Sequence, residues 1–392
     1  MGLPEKIETR LFINGEFVES SNGKTFDIIN PATLELVAKV HEASEQDTDN
    51  AGSYMKKLAS LIRENNDELA ALEASSMGRP VGEFIDAHAS AAKWDRHAEA
   101  GYSVQGTTGV QTPGFVNMTF RQPYGVVAGI IPWNVPLLFL ANKLAPALIV
   151  GNTVVLKSSE KAPLTSAKIA TLVQQAGFPP GVIIIITGFG NVSGSILSHH
   201  MDVRALSFTG SSRTGRLIQA AAAKSNLKQV FLELGGKSPA VVFEDADLEK
   251  AVCMANSRIY VTGGGAPSGR EGYYIKPTIF KDTPEDAKIM KEEIFGPVVN
   301  INVFKSEDEV LAKANATEYG LYASVYTKDI DRAMRFAKGL EAGTVGVNCT
   351  SPVTGADMPF GGYKSSGSGR EGEPLYSLDN FLETKSVLIK IS

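Results

Sequence analysis

From about residue 125 onward, short apolar runs alternate with stretches of helical periodicity. The runs at 126–131, 153–156, 182–187, 205–209 and 229–234 are largely apolar, without regular alternation of polar residues. Strands of that kind belong to a parallel sheet covered on both faces. Between them, 137–150, 163–176 and about 213–224 carry helical spacing, with Pro163 at a helix start. Together they predict an α/β fold of Rossmann type, which binds ligands at the carboxyl ends of its strands. Upstream, 11–18 reads as a hairpin turning at Asn14-Gly15, and 56–74 as a helix. Downstream, strands are expected at 240–243, 258–261, 278–280, 298–304, 321–326 and 343–347. Helices are expected from the capping box at Ser306 to about Ala316 and over 330–338. This is a second α/β region. The tail, 383–391, is extended and β-prone.

Composition narrows the classes. At 392 residues with 43% apolar and 21% charged positions, the chain has room for two cores. A net charge of −5 offers nothing to nucleic acid or anionic lipid. The most apolar stretch, 137–150, is broken by Asn142 and Lys143 and is too short to span a bilayer. The first twenty residues carry charges throughout, so no signal peptide is expected, and the final Leu-Ile-Lys-Ile-Ser is no peroxisomal address. Two cysteines, Cys253 and Cys349, make no disulfide framework and suit a reducing, cytoplasmic setting. The five histidines show no metal-ligand spacing.

Candidate chemistry centres on Phe231-Leu-Glu-Leu-Gly-Gly-Lys-Ser-Pro239, followed closely by Cys253-Met-Ala-Asn-Ser-Arg258. A Glu ending an apolar strand and a cysteine pair a base with a nucleophile. Taken alone, a cysteine such as Cys253 is more often a buried apolar residue than a nucleophile. Pro132-Trp-Asn-Val-Pro136 brackets Asn134 at a strand-to-helix junction, where its amide can face an oxyanion or cap the helix. Phe208-Thr-Gly210-Ser211 opens a helix and suits an anion or an ordinary cap. Gly188-Phe-Gly190-Asn-Val-Ser-Gly194 misses the dinucleotide fingerprint by one position. Gly236-Lys237-Ser238 lacks the upstream glycine of a P-loop, because Phe231 stands there.

Taken in order, these segments resemble the aldehyde dehydrogenase superfamily. The resemblance rests on Leu232-Glu-Leu-Gly-Gly-Lys-Ser-Pro239, Cys253-Met-Ala-Asn-Ser-Arg258, Pro132-Trp-Asn134, Lys157-Ser-Ser-Glu160 and Phe208-Thr-Gly-Ser211. Glu293-Ile-Phe-Gly-Pro297 and Pro359-Phe-Gly-Gly-Tyr-Lys-Ser-Ser-Gly367 complete it. It implies a Rossmann-type dinucleotide-binding domain over 1–236, with an oligomerisation hairpin near 106–124. It further implies a shortened catalytic α/β domain over 237–365, and a return to the cofactor domain with a β oligomerisation strand over 366–392. By the same resemblance Cys253 would attack an aldehyde, Asn134 would hold the oxyanion, and Glu233 would activate the water that releases the acid. Trp133, Lys157, Glu160, Gly210, Ser211, Glu293 and Phe295 would bind the cofactor. Glu160 repels a 2′-phosphate, so NAD is expected, with NADP the alternative. The tail strand would pair with a neighbouring subunit in a homodimer or homotetramer.

The chain departs from the family pattern in three places. A helix is missing around 49–56, Glu249-Lys-Ala-Val252 stands where the family has a Phe and a Gly-Gln pair, and Val261 runs directly into Thr262-Gly-Gly-Gly265. Two readings follow: an NAD-dependent oxidation of aldehyde to acid through a cysteine thiohemiacetal and thioester, or a truncated, non-catalytic homologue that at most binds NAD and oligomerises. Loss of segments beside the second domain also implies apolar surface stripped of its cover.

Overall fold

In a computed structural model, the structure describes residues 8–13, 16–19, 25–29, 36–41, 55–249, 251, 267–269, 271–350 and 357–391. The chain divides into two units. One comprises Met1–Thr209, Arg216–Phe231 and Glu371–Ser392; the other comprises Gly210–Gly215 and Leu232–Arg370.

The first unit is built on the expected parallel sheet. Val126–Ile130, Thr153–Lys157 and Ile183–Ile186 lie side by side in chain order. Ala205–Thr209 then crosses back to pair with the opposite edge of Val126–Ile130, Phe208 beside Ile130. Gln229–Glu233 follows outside it. On the far side, Leu11–Ile13 pairs antiparallel with Ile183–Ile186 and with Glu16–Val18. The expected hairpin is thus present as two paired strands, and its turn at Asn14-Gly15 lies outside the described residues. Every residue of Ile183–Ile186 and of Ala205–Thr209 is buried, as continuous apolar strands require.

Helices Pro136–Ile149 and Leu164–Ala176 cover this sheet, and Asp86–Ala100 packs on Pro136–Ile149. Trp94, Leu137, Leu140, Leu144, Leu156 and Ile169 are fully buried among them. Each such side chain contributes about 1.5–3 kcal/mol. The helix expected over 56–74 is two helices, Met55–Glu64 and Asn66–Met77. Asn65 sits at the break, and its side-chain amide donates to Leu61 O at 2.8 Å, a local bond that competes with the helical ladder.

Lys143 interrupts an apolar helix and is 1% exposed. Its ammonium pairs with Glu371 and donates to the Thr209 hydroxyl at 2.8 Å. Asn142 also donates to Glu371. The pair therefore ties the last residue of one chain segment to the first of another, at Thr209 and Glu371. Glu371→Ala leaves an ammonium buried without its counter-ion. We expect a loss of about 3–5 kcal/mol, read from the denaturant midpoint; an unchanged midpoint refutes it.

Glu73 is 0% exposed on Asn66–Met77. Burial raises its carboxyl to about 8, and Asp86 adds to the rise. The folded chain keeps this proton where an unfolded glutamate, at 4.5, has lost it. The resulting stability is complete below the unfolded value and disappears as pH climbs through about 8. Glu73→Gln is therefore expected to unfold later than wild type at pH 8, by on the order of 4 kcal/mol at most, and to match it at pH 4. Parallel unfolding curves across that pH range would contradict this.

Phe115–Pro123 and Leu382–Lys390 form a long antiparallel ribbon in register from Pro123↔Leu382 to Phe115↔Lys390. Thr108–Gly109 completes a three-stranded sheet on the other edge of Phe115–Pro123. The tail strand thus pairs first with its own chain, and its outer edge has no partner strand among the described residues.

The second unit has a three-stranded parallel sheet, Ala240–Val242, Tyr322–Tyr326 and Thr344–Val347. Val241, Phe243, Val310, Ala323, Val325, Phe336 and Leu340 form its core. Helix Glu307–Asn315 is capped as the sequence implies: the Ser306 hydroxyl accepts from Glu309 N, and the Glu309 carboxylate accepts from Lys305 N. Arg332 lies over the Phe243 ring at 4.3 Å and pairs with Asp245 and Glu307. Thr278–Lys281 and Val298–Ile301 stand apart as a two-stranded parallel pair with no buried residue. Parallel strands are normally covered on both faces. Here Phe280 and Ile301 are exposed, which matches the cover expected to be lost. The strand expected at 258–261 lies outside the described residues.

Candidate active site

In the first unit, the sheet reverses its order between Val126–Ile130 and Ala205–Thr209. Such a switch point leaves a crevice at the strands' carboxyl ends, where dinucleotides bind in doubly wound folds. Trp133 and Asn134 follow the first of these strands, and Gly210 and Ser211 follow the second. Pro136 begins the next helix, its fixed φ suiting the first position. The Asn134 amide oxygen is buried with no hydrogen-bond partner among the described residues. Thr153–Lys157 lies in register with Val126–Ile130, bringing Lys157 level with Ile130. The Lys157 ammonium is buried, donates to Ser158 O at 2.8 Å and stands 3.7 Å from the Glu160 carboxylate. The Lys161 ammonium lies 5.5 Å from the centre of the Trp133 ring. The four first-unit candidates therefore occupy neighbouring strand ends.

The second unit collects the others. Ser211 accepts from Thr214 N at 3.3 Å and donates to the Thr214 hydroxyl, so it caps helix Ser212–Lys224. The cap and the anion readings coincide, because the same turn orients the N–H groups. Gly210 N donates to Glu233 O at 3.0 Å. Glu233 is 7% exposed and ends its strand. Its backbone is held by the segment at 366–368: Leu234 N donates to Ser366 O, and Glu233 pairs with Gly367. Gly367 has φ +125°, and a Cβ there would overlap Leu232 O. Only glycine fits.

Glu293 reaches back to the same stretch. Its carboxylate accepts from Gly236 N at 3.0 Å, and a Cβ on Gly235 would collide with it. Lys237 donates to Ile289 O and Glu292 O, both at 2.8 Å, fixing the turn before Glu293. Phe295 is 58% exposed at φ +52°. A bulky residue in the left-handed region is strained, and such strain concentrates at functional sites. Glu233, Glu293 and Gly210 are thus brought together through backbone contacts around 232–237. Cys253 lies outside the described residues. Cys349 is an exposed free cysteine.

These residues fit NAD. Within the first unit, the reversed sheet offers a crevice, and Lys157 with Glu160 offers an ammonium and a carboxylate to ribose hydroxyls. Within the second, the capped start of helix Ser212–Lys224 presents N–H groups of the kind that hold a pyrophosphate. Sequence reasoning assigned no role to Lys237 or Ser366. Both stand inside recognised motifs, Gly-Gly-Lys-Ser and Lys-Ser-Ser-Gly, which was the available signal.

The comparisons with known proteins agree. A family model described as "Aldehyde dehydrogenase family" matches residues 52–264 and 254–387. Aldehyde dehydrogenase 1A1 of Gallus gallus is 38% identical, over 99% of this chain and 96% of its own. That alignment spans 492 positions against a chain of 392, so internal segments of the relative have no counterpart here. A Bacillus cereus aldehyde dehydrogenase solved as an NAD+ complex is 34% identical, covering 100% of both chains with a TM-score of 0.93. The P. syringae indole-3-acetaldehyde dehydrogenase AldA, solved as a point mutant in complex with NAD+ and IAA, is 32% identical with a TM-score of 0.92, covering 98% of this chain and 97% of its own. On strand order, motif order and full-length similarity together, this chain belongs to the aldehyde dehydrogenase family.

Proposed function

We propose that this chain oxidises a small or medium apolar aldehyde, aromatic ones included, to its carboxylic acid, with Cys253 as nucleophile and NAD as electron acceptor. The observation that carries the reading is the buried Glu233, fixed at its strand end by Gly367 and Ser366, in a chain that keeps the family's motifs in order. The Cys253 thiolate adds to the carbonyl carbon, forming the C–S bond and leaving charge on oxygen. The Asn134 amide and the Cys253 backbone N–H meet that charge. The C–H bond of that adduct then breaks with its electron pair as the carbonyl re-forms, leaving a thioester, and NAD, when bound, would supply the acceptor for the departing hydride. Glu233 then takes a proton from water, the water adds to the thioester carbon, and the C–S bond breaks to release acid and thiolate.

Lys157 and Glu160 hold the adenosine ribose, Gly210 and Ser211 the pyrophosphate, and Glu293 the nicotinamide ribose, with Trp133 and Phe295 against the cofactor. The indole-3-acetaldehyde dehydrogenase relative supports an aromatic substrate. The domain limits proposed are 1–236, 237–365 and 366–392. The unpartnered edge of Leu382–Lys390, with Leu388, Ile389 and Ile391 exposed, favours a homodimer or homotetramer. Reduced thiol chemistry favours a cytoplasmic setting. No helix among the described residues is long and apolar enough to cross a membrane.

The direct test mixes purified protein with NAD and benzaldehyde or hexanal and follows NADH. Turnover supports the reading. NAD binding without NADH formation selects the non-catalytic homologue instead. Cofactor choice is tested separately. Glu160→Ser removes the charge that repels a 2′-phosphate, so the NADP KM should fall about tenfold while the NAD KM rises. Unchanged selectivity removes Glu160 from the ribose site.

A further inference from the structure

In the second unit, the turn that follows Glu233 grips the segment before Glu293 at two points, and the two grips come from consecutive residues. The Gly236 N–H donates to the Glu293 carboxylate at 3.0 Å. The other carboxylate oxygen lies against Gly235, in the space a Cβ would need. The Lys237 ammonium takes the backbone of the same segment, donating to Ile289 O and to Glu292 O at 2.8 Å each.

Those carbonyls suit a lysine. Lys288–Lys291 is a single helical turn, too short to satisfy its own last carbonyls, and Glu292 is already extended at φ −91° and ψ 151°. The Asn300 amide adds a longer contact to Ile289 O, at 3.4 Å. The Glu292 carbonyl is bonded directly to the Glu293 nitrogen, so fixing the one sets the start of the other. A ring closes through Glu292 O, the Lys237 side chain, the Gly236 N–H and the Glu293 carboxylate. The carboxylate cannot swing without giving up a bond in that ring. Glu233 stands three residues before Gly236, its own strand end paired with Gly367. Both glutamates are thus tied to one short piece of backbone.

We infer that Lys237 is a positioning residue for the reaction: its ammonium sets the Glu293 carboxylate in register with the Glu233 strand end. The inference rests on the reading of Glu233 as base and of Glu293 as the contact to the nicotinamide ribose. One carboxylate orients the cofactor over the reacting carbon, and the other activates water toward that same carbon. The span between them therefore bears on both halves of the reaction. Slippage of about 1 Å in such a span costs up to roughly a hundredfold in rate. A merely structural role, holding the short helix in place, would reduce the amount of folded enzyme and leave the rate of the folded fraction alone.

Single-turnover kinetics, with enzyme in excess of benzaldehyde and NAD saturating, give a rate constant for NADH formation that does not depend on the active fraction. Fluorescence titration gives the NAD Kd without any turnover. Both are measured in Lys237→Met, Glu293→Ala and the double variant Lys237→Met/Glu293→Ala. Met keeps the length of the stem and removes the charge and its donors. We expect Lys237→Met to lose about tenfold in the rate constant and to weaken NAD about threefold. The double variant should be no worse than Glu293→Ala alone in either quantity, because the two act through one carboxylate. Wild-type values of both in Glu293→Ala overturn the ribose assignment itself. An impaired Glu293→Ala beside an unimpaired Lys237→Met, or losses that multiply in the double variant, overturn the positioning role alone. If wild type forms no NADH, the Kd values decide by the same rules. Should Lys237→Met fail to fold, Lys237→Gln replaces it, since its amide falls one atom short of the two carbonyls; full rate and full NAD affinity there overturn the positioning role equally.

Discussion

Cys253→Ala is expected to remove NADH formation altogether, a loss of roughly 10⁴-fold or more, while NAD binding persists. Oxidation needs a tetrahedral adduct whose carbon can give up two electrons, and a thiolate forms that adduct far faster than water does. Only two thiols exist, and Cys349 is exposed, in a stretch of sequence that offers no evident activator. Cys349→Ala should therefore keep wild-type kcat. Fluorescence titration with NAD separates lost chemistry from a lost fold. Substantial activity in Cys253→Ala with none in Cys349→Ala transfers the nucleophile to Cys349. Activity surviving both substitutions ends covalent catalysis by this chain.

The parallel sheet was legible because its strands are apolar on both faces, as at Ile183–Ile186. Periodicity alone missed the break at Asn65, where a side-chain amide competes for a carbonyl the helix would use. The order reversal between Val126–Ile130 and Ala205–Thr209 could not be read from spacing, since apolar runs carry no record of which edge they join. The site divides in the same way. Asn134 and Glu233 stand out at strand ends, whereas Lys157 is singled out only by the family resemblance. The contact of Glu293 with Gly236, and of Lys143 with Glu371, joins residues far apart in sequence. Their signals were indirect: glycines where no side chain fits, and a lysine inside an apolar helix. Phe280 and Ile301 are exposed in the short parallel pair, where apolar strand residues are normally covered. Ordinary sequence rules assume that cover is present.

Glu233→Gln should separate the two halves of the reaction. Glutamine keeps the size and one carbonyl of Glu233, so the strand end held by Gly367 and Ser366 should stay in place. It cannot accept the proton of an attacking water. Thiolate addition and oxidation do not require that step, so mixing enzyme, NAD and aldehyde should give a burst of about one NADH per subunit. The steady rate that follows should fall by roughly 10²–10⁴, the usual contribution of a general base. The acyl group left on Cys253 should be visible as added mass on the intact chain. Hydroxylamine, a nucleophile strong enough to cleave a thioester without a base, should restore much of the turnover. A steady rate equal to wild type removes Glu233 from catalysis. A slow rate without a burst, in a variant that still binds NAD, moves Glu233 to an earlier step, as the base that forms the thiolate. The burst decides between these because the thioester can accumulate only if its formation is fast and its hydrolysis slow.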